Sequence, residues 1–406
     1  MSVSVFLTFG KAKKLSMKTL GLYLHFPFCI SKCRYCDFYS MAVSSHQVPN
    51  RYVNALVAHM HEYAVQARGY AVNTVYFGGG TPSLLTEEQL KLLMKKLRSF
   101  FRLTPNCEIS MELNPKTVDA AKLRCFRKMG ITRLSIGIQS FEDADLHICG
   151  RAHSAADAFT TVTMARRAGF DNISFDLMYG IPGQSLQTVE DNIRTAIQLD
   201  PEHISLYGLK VEEGTPFWFD RHELAFPDEE TEREMYFRSV AQLANAGLRQ
   251  YEISNFAKRG RSCRHNLKYW NCEEYIGFGP AAHSYFGGKR FSLKKDLSLY
   301  MDCFDPTKKA DGTLIDEYID IPYSSRIAEY VMLRFRLTAG IDCALFRQKF
   351  GRNFDDVYLG RLMPYIKSGH VIRTAKGYAF TPEGMYVSNY ILARVVDFDL
   401  VVPGSE

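Results

Sequence analysis

The chain has 406 residues, of which 46% are hydrophobic and 23% charged, the make-up of a folded globular protein rather than a disordered one. A net charge of +6 is spread thinly, with no long basic block, so nucleic acid is not an expected partner. Ten cysteines in a chain this long do not make a small secreted disulfide scaffold.

Residues 1–18 carry an apolar run ahead of their basic residues, the reverse of a secretory leader, and are too short to cross a membrane. They are expected to form a weakly ordered extension, with Met17 a candidate start. No later stretch is apolar and long enough to span a bilayer, which makes the cytoplasm the expected location.

Short β-rich runs then alternate with helical patterns. The runs are residues 20–26, 74–77, 108–113, 133–138, 173–178 and 203–209, each near-continuously apolar, as for parallel strands buried on both faces. The helical segments are residues 48–67, 87–101, 120–129, 155–168, 186–198 and 228–246. Gly69, Gly130, Gly169 and Gly247 stand where C-terminal stops are expected, and Thr86 stands as an N-cap before Glu87 and Glu88. Six successive β–α units predict an α/β fold, a partial (β/α)6 TIM-like barrel over residues 19–250, with a doubly wound open sheet as the alternative.

Residues 251–322, rich in aromatics and glycines, read as a loop-and-strand extension closing the barrel. Residues 323–406 read as a winged-helix-like α+β module: helices 326–337, 344–350 and 355–368, a hairpin of 371–374 with 378–380, and a last helix from Thr381 to about 396. It has no basic face, so it is not read as DNA-binding.

Active sites of β/α barrels lie in the loops after the strands, and each unit offers a candidate there. After the first strand come Cys29, Cys33 and Cys36, spaced tightly enough to share one metal centre. Structural zinc takes four closed ligands and no fourth stands nearby. Three thiolates suit an iron–sulfur cluster with one iron open to a small molecule. Buried or zinc-bound cysteines are the alternative, and the remaining seven cysteines read as plain interior or surface residues. After the second strand, Gly78–Gly79–Gly80–Thr81–Pro82 would bring backbone amides close to a ligand. Glu112, Gln139, Arg151, Asp176 and Gly208 follow at or near the ends of later strands. Asp176 lies within an apolar strand, where a carboxylate is costly unless paired or hydrogen-bonded.

CxxxCxxC after the first strand of such a barrel resembles the radical S-adenosylmethionine proteins. LYLHFPFC, CRYCDF, YFGGGTP, SMELNP, SIGIQSF, FDLMYGIPGQ and ISLYGLKVEEGTPF, in this order, resemble the oxygen-independent coproporphyrinogen III oxidase family from about Gly21 onward. The resemblance implies a [4Fe–4S] cluster on Cys29, Cys33 and Cys36, and S-adenosylmethionine contacts from Tyr23, Phe38, Gly79, Gly80, Thr81, Glu112, Gln139, Arg151, Asp176, Met178 and Gly208. It also implies an electron donor such as flavodoxin or ferredoxin.

The true oxidase has a further cysteine two residues after the third, where this chain has Phe38. The haem-chaperone branch has CDF there and an HNxxYW motif, here His265–Asn266–Leu267–Lys268–Tyr269–Trp270. That branch implies haem as a third ligand and a haem-acceptor protein, such as a respiratory haem protein at the membrane, as partner. It implies haem contact by His265, Tyr269 and Trp270. The six residues alone favour a loop histidine with aromatics closing the barrel mouth. A coproporphyrinogen III oxidase is the alternative function.

Overall fold

The computed structural model describes residues 17–44, 47–308 and 312–396. Of the expected N-terminal extension, residues 1–16 lie outside these, and Lys18 already belongs to the first strand.

Six parallel strands run in chain order across the sheet: β1 Lys18–Phe26, β2 Tyr70–Gly79, β3 Leu103–Leu113, β4 Arg133–Gln139, β5 Ile173–Tyr179 and β6 His203–Gly208. The sheet continues beyond them. On the β6 side, β7 Arg249–Gln250 and β8 Asn255–Ala257 add antiparallel strands. On the β1 side, β9 Tyr275–Phe278 pairs parallel, followed by antiparallel β10 His283–Phe286, β11 Lys289–Leu293 and β12 Ile315–Asp320. The order is β12-β11-β10-β9-β1-β2-β3-β4-β5-β6-β8-β7, and its two ends do not pair, so the barrel is open.

Leu22 and Leu24, Val75 and Phe77, Met111, Leu134 and Ile136, and Phe175 turn outward into one core with helix residues Leu56, Leu93, Phe126, Val162 and Ile193. Full burial of each such side chain is worth about 1.5–3 kcal/mol. The inward rows are different. In register across the sheet they carry Gly21, Thr74 and Glu108 low down, Tyr23, Tyr76 and Ser110 above them, and Gly137, Asp176 and Ser205 on the later strands. Both faces are buried, as expected, but the lumen is polar. The strands therefore alternate where the sequence reads as nearly uniform.

Helices 120–129 and 186–198 match expectation to the residue, and the others to within a few. Thr86 caps Glu87–Phe100 in a reciprocal box with Gln89, and Ser154 does the same with Asp157 for Ala155–Arg167. Gly130, Gly169 and Gly247 take positive φ at helix ends. Gly69 does not: it closes a 3-10 turn, Gln66–Gly69, after a helix that already ends at Tyr63.

The C-terminal module has its own core of Phe335, Phe346, Phe354, Tyr358, Tyr378 and Phe380. Its helices are Tyr323–Phe335, Cys343–Phe350 and Phe354–Lys367, and the expected hairpin gains a third short strand, Ile341–Asp342. The final helical stretch is two helices, Pro382–Tyr386 and Ser388–Val395.

Candidate cofactor site

The C-terminal ends of the six barrel strands surround a cavity of about 750 Å³, large enough for a cofactor of many atoms. Cys29, Cys33, Cys36, Phe38, Gly79, Gly80, Thr81, Glu112, Gln139, Arg151, Asp176, Met178 and Gly208 all line it. Of the residues expected to contact S-adenosylmethionine, only Tyr23 does not. It lies one layer deeper, stacked on Tyr76 at 6.2 Å, with its hydroxyl 3.0 Å from His25 Nδ1.

Backbone holds the cysteine loop against the glycine turn. Gly80 N–H donates to Phe26 O and Thr81 N–H to Phe28 O, both at 2.8 Å, and Gly79 N–H donates to Glu112 Oε2 at 3.0 Å. The expected role of these amides is thereby corrected: they are spent inside the protein, not offered to a ligand. The close approach that needs glycine is chain against chain. A Cβ on Gly80 would lie 2.7 Å from both Phe26 O and Phe28 O.

Side chains then tie the cysteines to the later strands. Thr81 Oγ1 donates to Cys29 Sγ at 3.5 Å, and Arg151 Nη1 donates to Cys33 Sγ at 3.3 Å. Burial pushes the Cys29 thiol up, and that of Cys36 up to about 11. All ten cysteines are free. Among the described residues no three His, Cys, Asp or Glu side chains are set to hold a metal ion. In an iron–sulfur cluster each thiolate takes its own iron, and three thiols lining one cavity suit such a group. Arg151 adds to the fit, because its Nε is buried with no hydrogen-bond partner, a donor left for a bound group.

Glu112 accepts from Tyr76 Oη at 2.9 Å as well as from Gly79, yet burial, with Asp176 adding repulsion, pushes its carboxyl up to about 7. Asp176 accepts from Ser135 at 3.1 Å, and burial raises it too. The buried Asp of the sequence reading is thus hydrogen-bonded and faces the cavity. Two neighbouring carboxyls with raised affinity for protons suit a cationic ligand such as a sulfonium or ammonium group.

Gln139 ends β4 at φ 69°, where the register with β5 shifts, a left-handed backbone that turns its side chain to the cavity. Sequence reasoning did not assign Asn114, Gly137, Tyr35 or His153, which also line the cavity. Asn114 follows Glu112 on the same loop, so the position of the strand end could have found it.

The HNxxYW segment is at the other end of the barrel. It forms a helix, Arg264–Trp270, under the starts of the strands, where the sequence suggested a loop at the mouth. Glu108 on β3 accepts from the Arg264 N–H at 2.9 Å and the His265 N–H at 3.3 Å. Gly21 on β1 gives the helix room, since a Cβ there would lie 2.8 Å from Lys268 Cδ. His265 is 1% exposed. Its Nδ1 is 2.9 Å from Thr74 Oγ1, its Nε2 is 2.8 Å from Tyr269 Oη, and its ring stacks on Tyr76 at 5.2 Å. Burial pushes its pKa down to about 3. In this arrangement His265 has no nitrogen left for iron, and none of His265, Tyr269 and Trp270 reaches the cavity. Trp270 instead carries the Arg336 guanidinium of the C-terminal module 4.8 Å over its ring.

Residues 23–196 match the radical SAM superfamily, and residues 324–387 match the HemN C-terminal domain. The haem chaperone HemW of Bacillus subtilis (strain 168) is 37% identical over 372 residues, covering 91% of this chain and 97% of that protein. The chain belongs to the HemW family. The HemW of Escherichia coli (strain K12) is 32% identical, covering 93% of this chain and 98% of that protein. The solved structure of coproporphyrinogen III oxidase, HemN, from Escherichia coli superposes with a TM-score of 0.81 at 23% identity, covering 95% of this chain and 91% of that one. That likeness shows that this HemW-family chain shares the oxidase fold. The stretch matching the radical SAM superfamily includes the three thiols, two carboxyls and Arg151 that line the one cavity.

Proposed function

We propose that this protein is a haem chaperone: it binds haem and passes it to an acceptor protein, and it carries a [4Fe–4S] cluster and S-adenosylmethionine. The observation that carries this reading against the oxidase is Phe38. It stands where the oxidase pattern has a further cysteine, 63% exposed at the cavity wall. The names borne by the relatives at 32–37% identity support the same choice.

Cys29, Cys33 and Cys36 hold the cluster in this reading. When bound, the cluster supplies one-electron reduction of S-adenosylmethionine. Glu112 and Asp176 offer negative charge to the cofactor's cationic centres, Arg151 offers positive charge to its carboxylate, and Met178 and Gly208 give its adenine an apolar, open wall. The outward leucines and phenylalanines of β1 to β6 keep water from the lumen beneath. Haem contact by His265, Tyr269 and Trp270 requires helix Arg264–Trp270 to leave the barrel floor, because both ring nitrogens are engaged within it. We assign the acceptor to respiratory haem proteins at the membrane, the electron donor to a flavodoxin or ferredoxin, and the site of action to the cytoplasm. No described helix is long and apolar enough to cross a membrane.

The test is anaerobic incubation of the cluster-loaded protein with coproporphyrinogen III, S-adenosylmethionine and a reductant, with the porphyrins separated by chromatography. Unchanged coproporphyrinogen is expected. Protoporphyrinogen formed in step with deoxyadenosine would replace the chaperone with the oxidase.

A further inference from the structure

Two of the three cluster cysteines are joined by one unbroken run of hydrogen bonds, and its centre is a residue with no role so far. Asn114 Nδ2 donates to Thr81 Oγ1 at 3.0 Å, and Thr81 Oγ1 donates to Cys29 Sγ at 3.5 Å. On the other side, Asn114 Oδ1 accepts from Arg151 Nη2 at 2.5 Å, and Arg151 Nη1 donates to Cys33 Sγ at 3.3 Å.

The direction of each bond is fixed by chemistry. A guanidinium has only donors, so the Asn114 atom facing Arg151 is the carbonyl oxygen and the atom facing Thr81 is the amide nitrogen. A threonine hydroxyl has one hydrogen. Because Thr81 accepts from Asn114, that hydrogen is free for the Cys29 sulfur. An acceptor in place of the Asn114 amide would claim the hydrogen and strip it from Cys29. A side-chain amide accepts from the arginine and donates to the hydroxyl at once, whereas a carboxylate of the same size can only accept.

The surroundings are built to hold the amide in place. A Cβ on Gly137 would lie 2.5 Å from Asn114 Oδ1, so β4 leaves that space empty. Gly137 O also accepts from Arg151 Nη2 at 2.6 Å, which pins the guanidinium on a second side. The main chain of Asn114 is fixed as well: its backbone O accepts from Thr117 Oγ1 at 2.6 Å, and Thr117 Oγ1 is 2.6 Å from Ser83 Oγ.

We propose that Asn114 is a positioning residue for the cluster: its side-chain amide sets Thr81 and Arg151 as hydrogen-bond donors to the Cys29 and Cys33 sulfurs, and so sets the reduction potential of the bound cluster. This rests on the reading that these cysteines hold a [4Fe–4S] cluster. Reduction adds negative charge to the cluster, and donors on its sulfurs stabilise that charge, so they raise the potential.

The experiment is a redox titration of the full-length, anaerobically reconstituted protein without S-adenosylmethionine, followed by the electron paramagnetic resonance signal of the reduced cluster. Asn114→Leu removes both arms. Asn114→Asp keeps the size and the acceptor for Arg151 but cannot donate to Thr81, and it adds a negative charge. Both are expected to move the midpoint to more negative potential, Asn114→Asp further. Thr81→Val, which leaves Cys29 without its donor, should lower the potential by itself, and adding Asn114→Leu to it should lower it by less than Asn114→Leu does alone. A wild-type midpoint and line shape in Asn114→Asp overturns the proposal. Wild-type protein that takes up no cluster overturns the reading of the cysteines instead, and is seen first, in the iron and sulfide content before any variant is made.

Discussion

Replacing His265 by alanine takes a buried ring and two hydrogen bonds from the barrel floor. The hydroxyls of Thr74 and Tyr269 lose the partners they have at 2.9 and 2.8 Å, and Tyr76 loses the ring stacked on it at 5.2 Å. Truncating a buried side chain of this size costs about 2–5 kcal/mol, and an orphaned buried hydroxyl about 1–3 kcal/mol, partly relieved if water enters the space. With water taking over part of both hydrogen bonds, the loss expected for His265→Ala is about 3–5 kcal/mol. Tyr269→Phe, which removes a single hydrogen bond, should lose about 1 kcal/mol. Urea unfolding of the cluster-free protein measures both. Trp270 ends the floor helix and is one of only two tryptophans, so its fluorescence reports the floor directly. A His265→Ala variant within about 0.5 kcal/mol of wild type would refute the claim that this ring supports the floor. The comparison also governs how haem titrations are read, because weakened haem binding in His265→Ala alone could follow from a disturbed floor, whereas the same loss in the folded Tyr269→Phe variant could not.

Burial holds His25 and His153 down to about 4 and His59 and His265 to about 3, so on acidification the unfolded chain takes up protons near pH 6.5 that the fold refuses. Stability of the cluster-free protein should be full above about pH 7 and fall as pH drops from 6.5 towards 4, at about 1.4 kcal/mol per pH unit for each histidine. Glu112, raised to about 7, offsets one of the four over the same range, and a urea midpoint that stays flat between pH 7 and 5 would contradict this balance. Gly80→Ala should cost about 1–3 kcal/mol and reduce iron uptake, since the added carbon meets backbone at Phe26 and Phe28 that cannot yield. Gly360→Ala is the opposite case: it lies inside helix Phe354–Lys367 with open space around it, and it should raise stability by about 0.5–1 kcal/mol in the same melts. S-adenosylmethionine affinity, measured by equilibrium dialysis, should rise roughly tenfold from pH 6 to 8 as Glu112 ionises, and Glu112→Gln should be weaker and nearly independent of pH.

The barrel strands and the cavity residues were legible because parallel strands are short apolar runs and their C-terminal ends collect function. Thirteen of the fourteen expected cluster and S-adenosylmethionine residues line one cavity. What the sequence hid is tertiary. The polar lumen is carried by isolated residues such as Ser110, Ser135 and Asp176, each flanked by apolar neighbours that face the helices, so an alternating strand passes for a uniform one. Helix Arg264–Trp270 has no cap of its own: Cys263 makes no side-chain cap bond, and its first amides are satisfied by Glu108 from another strand. No local pattern announces a helix whose N-terminus is closed by a residue so far away in the chain. The use of the Gly79 and Gly80 amides to grip the cysteine loop is hidden for the same reason.

The central claim is that this chain carries haem. Its most direct test is an anaerobic titration of the cluster-loaded protein with haem, followed by the Soret band. Saturation at one haem per chain with micromolar or tighter affinity is predicted. A Soret band that grows without saturation, as for haem free in buffer, would contradict the account and leave a radical SAM protein with another substrate.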